Sequence, residues 1–467
     1  MTTPAIQSAL LGTNLQIRFD KGYTDLINND VEDMIVIDAM KQEAGAVNRS
    51  FTFAVKSARK VSNAQMVAVG KNEQAFIDGE GIDISEKFAQ PKEINVACQF
   101  EQAVFERAKK DPSLVYGDVM SMTIEDSVVS SKETIIREYV GDGTGALASV
   151  ASVAISGGKV VLTLNNTSDK IGSIYWLLES MKIRLADASG NEDLPTLSAG
   201  TCDYLVVDSI DFESLKISCS AITTTGSVGS ASAVGDIDAN SILYPESDKA
   251  ANGGAMLDRT AITDYGYLLH MPGRQILAND SGLTVNGVTG SGVFAGTQKD
   301  AAGATLFYTM FNDLLQLGNR RNGRSAIDYK TLQCSFKTLN HITNLEQGNL
   351  VIQTLDNERG GKSWFYVRGN QRLELIEGRF CPDYEVWAEP VSKMQKVSPS
   401  ETSGAPLQFL FTGFDYIRDP ETGAAFRYKV KDGQRLKTVE AHLQGFGTFV
   451  ARQPSAILRL HGFKINA

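Results

Sequence analysis

What this chain lacks narrows its class first. Its five cysteines, Cys98, Cys202, Cys219, Cys334 and Cys381, are odd in number and scattered, with no CxxC pair. A disulfide framework and a cysteine-ligated zinc site are therefore not expected. The four histidines, His270, His341, His442 and His461, stand in no metal or triad motif. HExxH, GxSxG and GxGxxG are all missing, GDGTG having the wrong spacing. The start, MTTPAIQSALLGTN, has neither a basic nor an apolar signal region, and no window is apolar for the length of a membrane span. The expectation is a protein that stays in the cytoplasm, with no membrane partner and idle sequons at Asn48 and Asn165. Basic residues are in deficit, 45 against 55 acidic, for a formal charge of −10. That balance argues against dedicated nucleic-acid binding and against an anionic membrane surface.

What is present is ordinary globular material, 42% hydrophobic over 467 residues, enough for two to four domains. The most informative stretch runs from Asp111 to Gly145. Asp111 is a good N-cap, and Pro112 follows where a missing donor costs nothing. Val115, Val119, Met122, Val129, Ile136 and Val140 then recur at helical spacing, widened by Leu114, Val128, Ile135 and Tyr139. The pattern predicts one helix of roughly 40 Å with a buried face, interrupted by Asp126 and Glu133, and stopped by Gly141, Gly143 and Gly145.

Around this strut the chain reads in order. Residues 1–22 show no sustained period and suit an arm that lies on something else. A helix capped by Thr24 is predicted to run through Leu26, Ile27, Val31, Met34 and Ile37 toward Gly45. FTFAV (51–55) and EINVACQFEQAVF (93–105) read as strands, and the interval 58–90 between them has few apolar anchors. After the glycines, KVVLTL (159–164), MKIRLAD (181–187), YLVVDSI (204–210) and LKISCS (215–220) predict a small β-barrel or sandwich. Helices are expected at 305–319 and 328–345. Strands follow at 349–355, 363–369, in two parts of LELIEGRFCPDYEVWAEP, and at 407–414, 426–430 and 451–465. No internal repeat is present.

Val140 to Ala148, VGDGTGALA, directly after a long capped helix, resembles the end of the spine helix in major capsid proteins of tailed bacteriophages, the Hong Kong 97-type fold. The order of arm, helix, hairpin and spine is similar too, as is the closing Pro454, Ala456, Ile457, Leu458, Leu460 and Phe463. The resemblance implies an α+β chain: an N-terminal arm and helix (1–49), an extended E-loop (50–97), a peripheral domain with the spine (98–150), an inserted β-domain (151–245), an axial domain with loops (246–400), and a C-terminal β segment (401–467). It also implies a structural protein, not an enzyme and without cofactor, whose hexamers and pentamers close an icosahedral shell around double-stranded DNA held non-specifically. Scaffolding, portal and decoration proteins would be its partners, and the virion capsid, assembled in the host cytoplasm, its place. Lys60, Met66, Lys71, Phe76 and Phe88 would reach a neighbour through the E-loop. Some such coat proteins cross-link a loop lysine to an asparagine, and Lys71 lies near the expected tip. The alternatives are an encapsulin-like compartment shell, or a β-rich tail or carbohydrate-binding protein.

Near-motifs for other chemistry fail on inspection. GNRRNGRS (318–325) has Arg324 where a phosphate-binding lysine belongs, and DNERGGKS (356–363) has Asp356 in place of the first glycine. Asp236, Asp238 and Asn240 mimic a calcium loop, but Ser241 replaces the turning glycine and Ser247 the last ligand; a solvated loop is the plainer reading. His341, on an apolar helix, reads as a hydrogen-bonded core residue.

Overall fold

The computed structural model describes residues 34–46, 51–56, 84–89, 92–101, 133–165, 172–261, 273–278, 295–322, 329–345, 363–368, 371–399, 427–431 and 434–465, with short pieces at 103, 130, 284–285, 288–289 and 351–353. Strands dominate. Phe51–Lys56 and Ile84–Ala89 pair antiparallel without a slip, from Phe51 opposite Ala89 to Lys56 opposite Ile84. They form the base of a hairpin around segment 57–83. Lys92–Glu101 then pairs along its whole length with the long strand Gln434–Ala451. That strand also holds Arg427–Lys431 and Met394–Pro399, and Met394–Pro399 carries Lys41–Ala46 in parallel. One five-stranded sheet thus gathers segments from both halves of the chain.

Two expectations change here. The helix expected to reach Gly45 ends at Ala39, and Lys41–Ala46 is a strand. Lys41, Gln42, Glu43, Ala44 and Ala46 favour helix by intrinsic propensity, so pairing with the edge of Met394–Pro399 overrides the local preference. The helix expected over 328–345 is split: Thr331–Cys334 is a strand in the middle of a sheet and only Phe336–Leu345 is helical. Ser335 marks the break, its hydroxyl accepting from the backbone N–H of Thr338 at 3.2 Å as an N-cap does.

The four expected barrel strands pair with two further strands into a closed ring. Lys216–Thr223, Lys159–Leu164, Ala148–Ser156, Ile242–Pro245, Lys182–Ala186 and Cys202–Asp211 follow one another, and the last pairs with the first. Alternation drives it: Val160, Leu162 and Leu164 face inward while Lys159 and Val161 face out. Leu162, Ile183, Leu205, Val207 and Ile217 are fully buried, each contributing about 1.5–3 kcal/mol. Chain entry and exit lie side by side, the Leu147 N–H donating to Leu243 O at 2.8 Å and Val150 N–H to Ser241 O at 2.9 Å. Gly172 has φ 70°, and a Cβ there would sit 1.8 Å from Leu147 O, so no side chain fits.

The remaining large sheet has seven strands in the order Thr297–Asp300, Leu458–His461, Glu385–Ala388, Thr331–Cys334, Gln371–Glu377, Ser363–Arg368 and Val351–Gln353. Helices Tyr308–Asn322 and Phe336–Leu345 supply Phe311, Leu314, Leu315 and Ile342 to its core. The architecture is therefore mixed α and β, with few helices and a six-stranded barrel among the described residues.

Candidate functional site at the helix end

Residues 133–140 are helical, and Ile135, Ile136, Tyr139 and Val140 are buried on one face. The helix stops where the Gly141 N–H bonds Arg137 O at 2.8 Å, and Gly143 and Gly145 turn the chain with φ of 73° and 78°. Asp142 fixes this turn, accepting from the Thr144 N–H at 3.0 Å and pairing with Arg259 at 2.7 Å. The barrel begins three residues later, so helix, barrel and sheets converge on one junction.

Three further ties hold the junction. The Trp176 indole N–H donates to Phe380 O at 2.7 Å, Arg137 Nη1 donates to Trp176 O at 3.2 Å, and Arg379 pairs with Glu133 at 2.8 Å. Between helix and barrel lies a cleft of about 520 Å³ lined by Arg137, Asp142, Trp176, Lys182 and Glu246 among others. Burial lowers the pKa of Arg137, the nearby charges of Glu138, Glu133 and Asp248 opposing it.

The inner side of the junction is a fully buried polar cluster. The Tyr139 hydroxyl donates to Glu389 Oε2, and the Tyr139 ring packs 5.0 Å from that of Phe449. Arg274 reaches the same carboxylate, with Nη1 2.6 Å from Gln333 Oε1 and 3.5 Å from Glu389 Oε1, and Nη2 3.1 Å from Cys381 Sγ. Its guanidinium lies 4.5 Å over Trp387, whose other neighbour is Arg459, paired in turn with Glu385. Gly273 permits this approach: a Cβ there would lie 1.9 Å from Gly141 O. Burial raises the pKa of Tyr139, and the Glu389 charge raises it further. Burial also raises the Glu389 pKa, against the pull of Arg274. For Arg274 burial alone would lower the pKa, but Cys381, Glu389 and Glu385 outweigh it and the net direction is up.

Cys202, Cys219, Cys334 and Cys381 are buried, and burial pushes the Cys202 thiol up to about 11 and raises those of Cys219 and Cys334 well above the ordinary thiol value, away from the reactive thiolate. Among the described residues, no group of three or more His, Cys, Asp or Glu side chains is placed to hold a metal ion. At the calcium-like loop Asp238 Oδ1 accepts from the Asn240 N–H at 2.6 Å, and Ser241 bonds Asp193. Asp238 is thus engaged in a local turn, and Ser241 ties the loop to Asp193. His341 is buried as expected of a core residue, yet its Nε2 has no hydrogen-bond partner. The chemistry that this arrangement supports is mechanical: it fixes orientation.

Of the residues singled out in the sequence, Ile136 and Val140 are buried in the helix, and Phe88 stands in the hairpin base opposite Thr52. Val115, Val119, Met122, Val129, Lys60, Met66, Lys71 and Phe76 lie outside the described residues. Sequence reasoning passed over Gly273, Arg274, Gln333 and Glu389. The one local signal was an acid, Glu389, between an apolar strand and a proline in WAEP.

No family model matches the chain, and no curated protein matches it. Among solved structures it is similar to the capsid asymmetric unit of cyanophage A-1(L), with a TM-score of 0.41 and 10% identity over 93% of each chain. It is similar to the procapsid of satellite phage P4, with a TM-score of 0.35 and 7% identity, covering 96% of this chain and 91% of that one. It is also similar to an encapsulin from Synechococcus elongatus, with a TM-score of 0.38 and 6% identity over 92% of this chain and 88% of that one.

Proposed function

We propose that this chain is the major capsid protein of a tailed bacteriophage, a structural subunit that assembles as hexamers and pentamers into an icosahedral shell around double-stranded DNA. The observation that carries the reading is the hairpin. Its base is fixed by six paired residues on each strand, immediately before the strand Lys92–Glu101 and ahead of the helix that ends at Gly141. Segment 57–83, held by that base, carries charges and glycines with only isolated anchors such as Met66 and Phe76. Ordering it costs about 1–2 kcal/mol per residue, which so few anchors do not offset. The compensation comes from a neighbouring subunit, contacted by Lys60, Met66, Lys71, Phe76 and Phe88, so the order of this loop is linked to assembly.

In this reading the helix through Val115, Val119, Met122, Val129, Ile136 and Val140 is the spine, residues 151–245 are the inserted β-domain, and residues 246–400 the axial domain. The arm and E-loop supply reach, and the junction at Gly141 supplies rigidity. The acidic balance of the chain suits a container that does not grip its genome. Electron microscopy of the purified protein tests the proposal: closed polyhedral particles are expected. Replacing segment 57–83 by a short Gly/Ser turn, which keeps the paired base, leaves the melting temperature near that of the wild type and abolishes closed shells. Wild-type-sized particles from that deletion would refute the E-loop assignment. A wild-type protein that stays monomeric in every condition would refute the capsid. Particles that package enzymes and no DNA would assign the shell to the encapsulin-like class.

A further inference from the structure

Arg274 is fully buried, and its partners come from four separate parts of the chain: Gln333, Cys381, Glu389 and, through Glu389, Tyr139 of the helix. This cluster is poorly satisfied for its depth. Arg274 Nε is buried with no hydrogen-bond partner, the contact with Glu389 is at the 3.5 Å limit, and a thiol is a weak acceptor. A buried ion pair of such geometry generally leaves a protein no more stable than an apolar packing of the same volume would. Stability therefore does not account for it.

Direction does. Ile135, Ile136, Val140 and Phe449, also buried at the helix end, exert a non-directional attraction that tolerates sliding and rotation. The Tyr139–Glu389–Arg274 chain does not tolerate them, because rotating the helix by one residue swings the hydroxyl through ~100° and away from its only carboxylate. Gly273, with its missing side chain, lets the backbone just before Arg274 lie against the carbonyls of Glu138 and Gly141, so the anchor sits at the end of the lever.

We infer that Arg274 is a positioning residue, which through Glu389 and Tyr139 selects one seating of helix 133–140 on the two sheets while adding no stability beyond that of an apolar packing. The inference concerns the single chain and holds whether or not shells form. The test uses full-length protein carrying Arg274→Met, Glu389→Leu and Tyr139→Phe together. Its melting temperature is expected to equal or exceed that of the wild type, while amide hydrogen exchange across residues 135–141 accelerates about tenfold and that of the barrel strands Cys202–Asp211 and Lys216–Thr223 stays unchanged. Unchanged exchange at 135–141 would overturn the positioning role. A lower melting temperature, or failure to fold, would overturn the claim about stability. Tyr139→Phe alone keeps the ion pair but leaves Glu389 Oε2 without its donor, so a lower melting temperature is expected and exchange is the readout: acceleration greatest at 135–141 supports positioning, and no change in exchange there refutes it.

Discussion

Inside the barrel, Leu162, Ile174, Ile183, Leu205 and Ile217 pack with no charged side chain among them, whereas the large sheet and the helix end enclose Arg274, Glu385 and Glu389. The barrel does have a shielded arginine, but alternation puts Arg184 on the outside of the wall. There it pairs with Asp203 at 2.7 Å and Glu192 at 2.9 Å, both of them partly exposed. The difference follows from topology. A ring of strands has no open edge and holds its own register, so its interior can be purely apolar. An open sheet meeting a helix has several near-equivalent packings, and directional polar contacts choose among them.

The most severe test of this contrast is excision. A fragment of residues 146–251, which keeps all six ring strands and the helix Glu246–Ala251, is expected to fold alone with a β-type circular dichroism spectrum and a cooperative melt. A random-coil spectrum would break the comparison outright. Next in size, Leu162→Ala in the barrel and Leu332→Ala in the large sheet, both fully buried, should each cost about 2–5 kcal/mol. If the two regions are separately stable, calorimetry of the whole chain resolves two transitions and each substitution lowers only one of them; a shared shift would show them to be one cooperative unit. The smallest effect concerns Asp193, which accepts from Ser241 at the barrel end. Its pKa is raised from 3.8 by burial first, then by the charges of Asp187, Asp238 and Asp236. A raised carboxylate means that folding takes up a proton. Its favourable contribution is complete below the unfolded value and fades as pH rises through the folded one. Asp193→Asn should therefore melt above the wild type at neutral pH, with the gap closing on acidification toward 3.8. A gap that is constant with pH would assign the effect to packing.

The barrel was legible because its information is local. KVVLTL places apolar Val160, Leu162 and Leu164 two apart, and the strand Lys159–Leu164 occupies the predicted limits. Ala148–Ser156 and Ile242–Pro245, which complete the ring, were hidden in small residues and a short apolar run, and only their partners make them strands. The strand Gln434–Ala451 was missed for a similar reason: Glu440, His442, Gly445 and Gly447 dilute its alternation, and its state comes from three flanking strands. TLQC reads as helix in the sequence because Leu332, Phe336 and Leu339 keep helical spacing across a boundary that pairing with Glu385–Ala388 and Gln371–Glu377 imposes. Of the junction, the helix stop and the buried Ile136 and Val140 were visible as periodicity and glycine, while Arg274 and Glu389 were not. A buried charge is identified by what surrounds it, and those neighbours lie 59 and 115 positions away from Arg274 in sequence.

The side-by-side entry and exit of the barrel bear on how the rest of the chain finds its shape. Leu147 and Leu243 are hydrogen-bonded neighbours, so a folded barrel reduces an excursion of ~100 residues to one interstrand step. As a floppy loop that excursion would oppose the meeting of Gly141 with Gly273 by roughly 4 kcal/mol of closure entropy. Once the barrel is closed, most of that opposition is gone before the junction forms. The module thus acts as a chain-shortening clasp: it lets Arg274 reach the helix end early, and it makes the seam between Leu147 and Leu243 a place where another compact domain with adjacent termini could be substituted without retuning the surrounding fold.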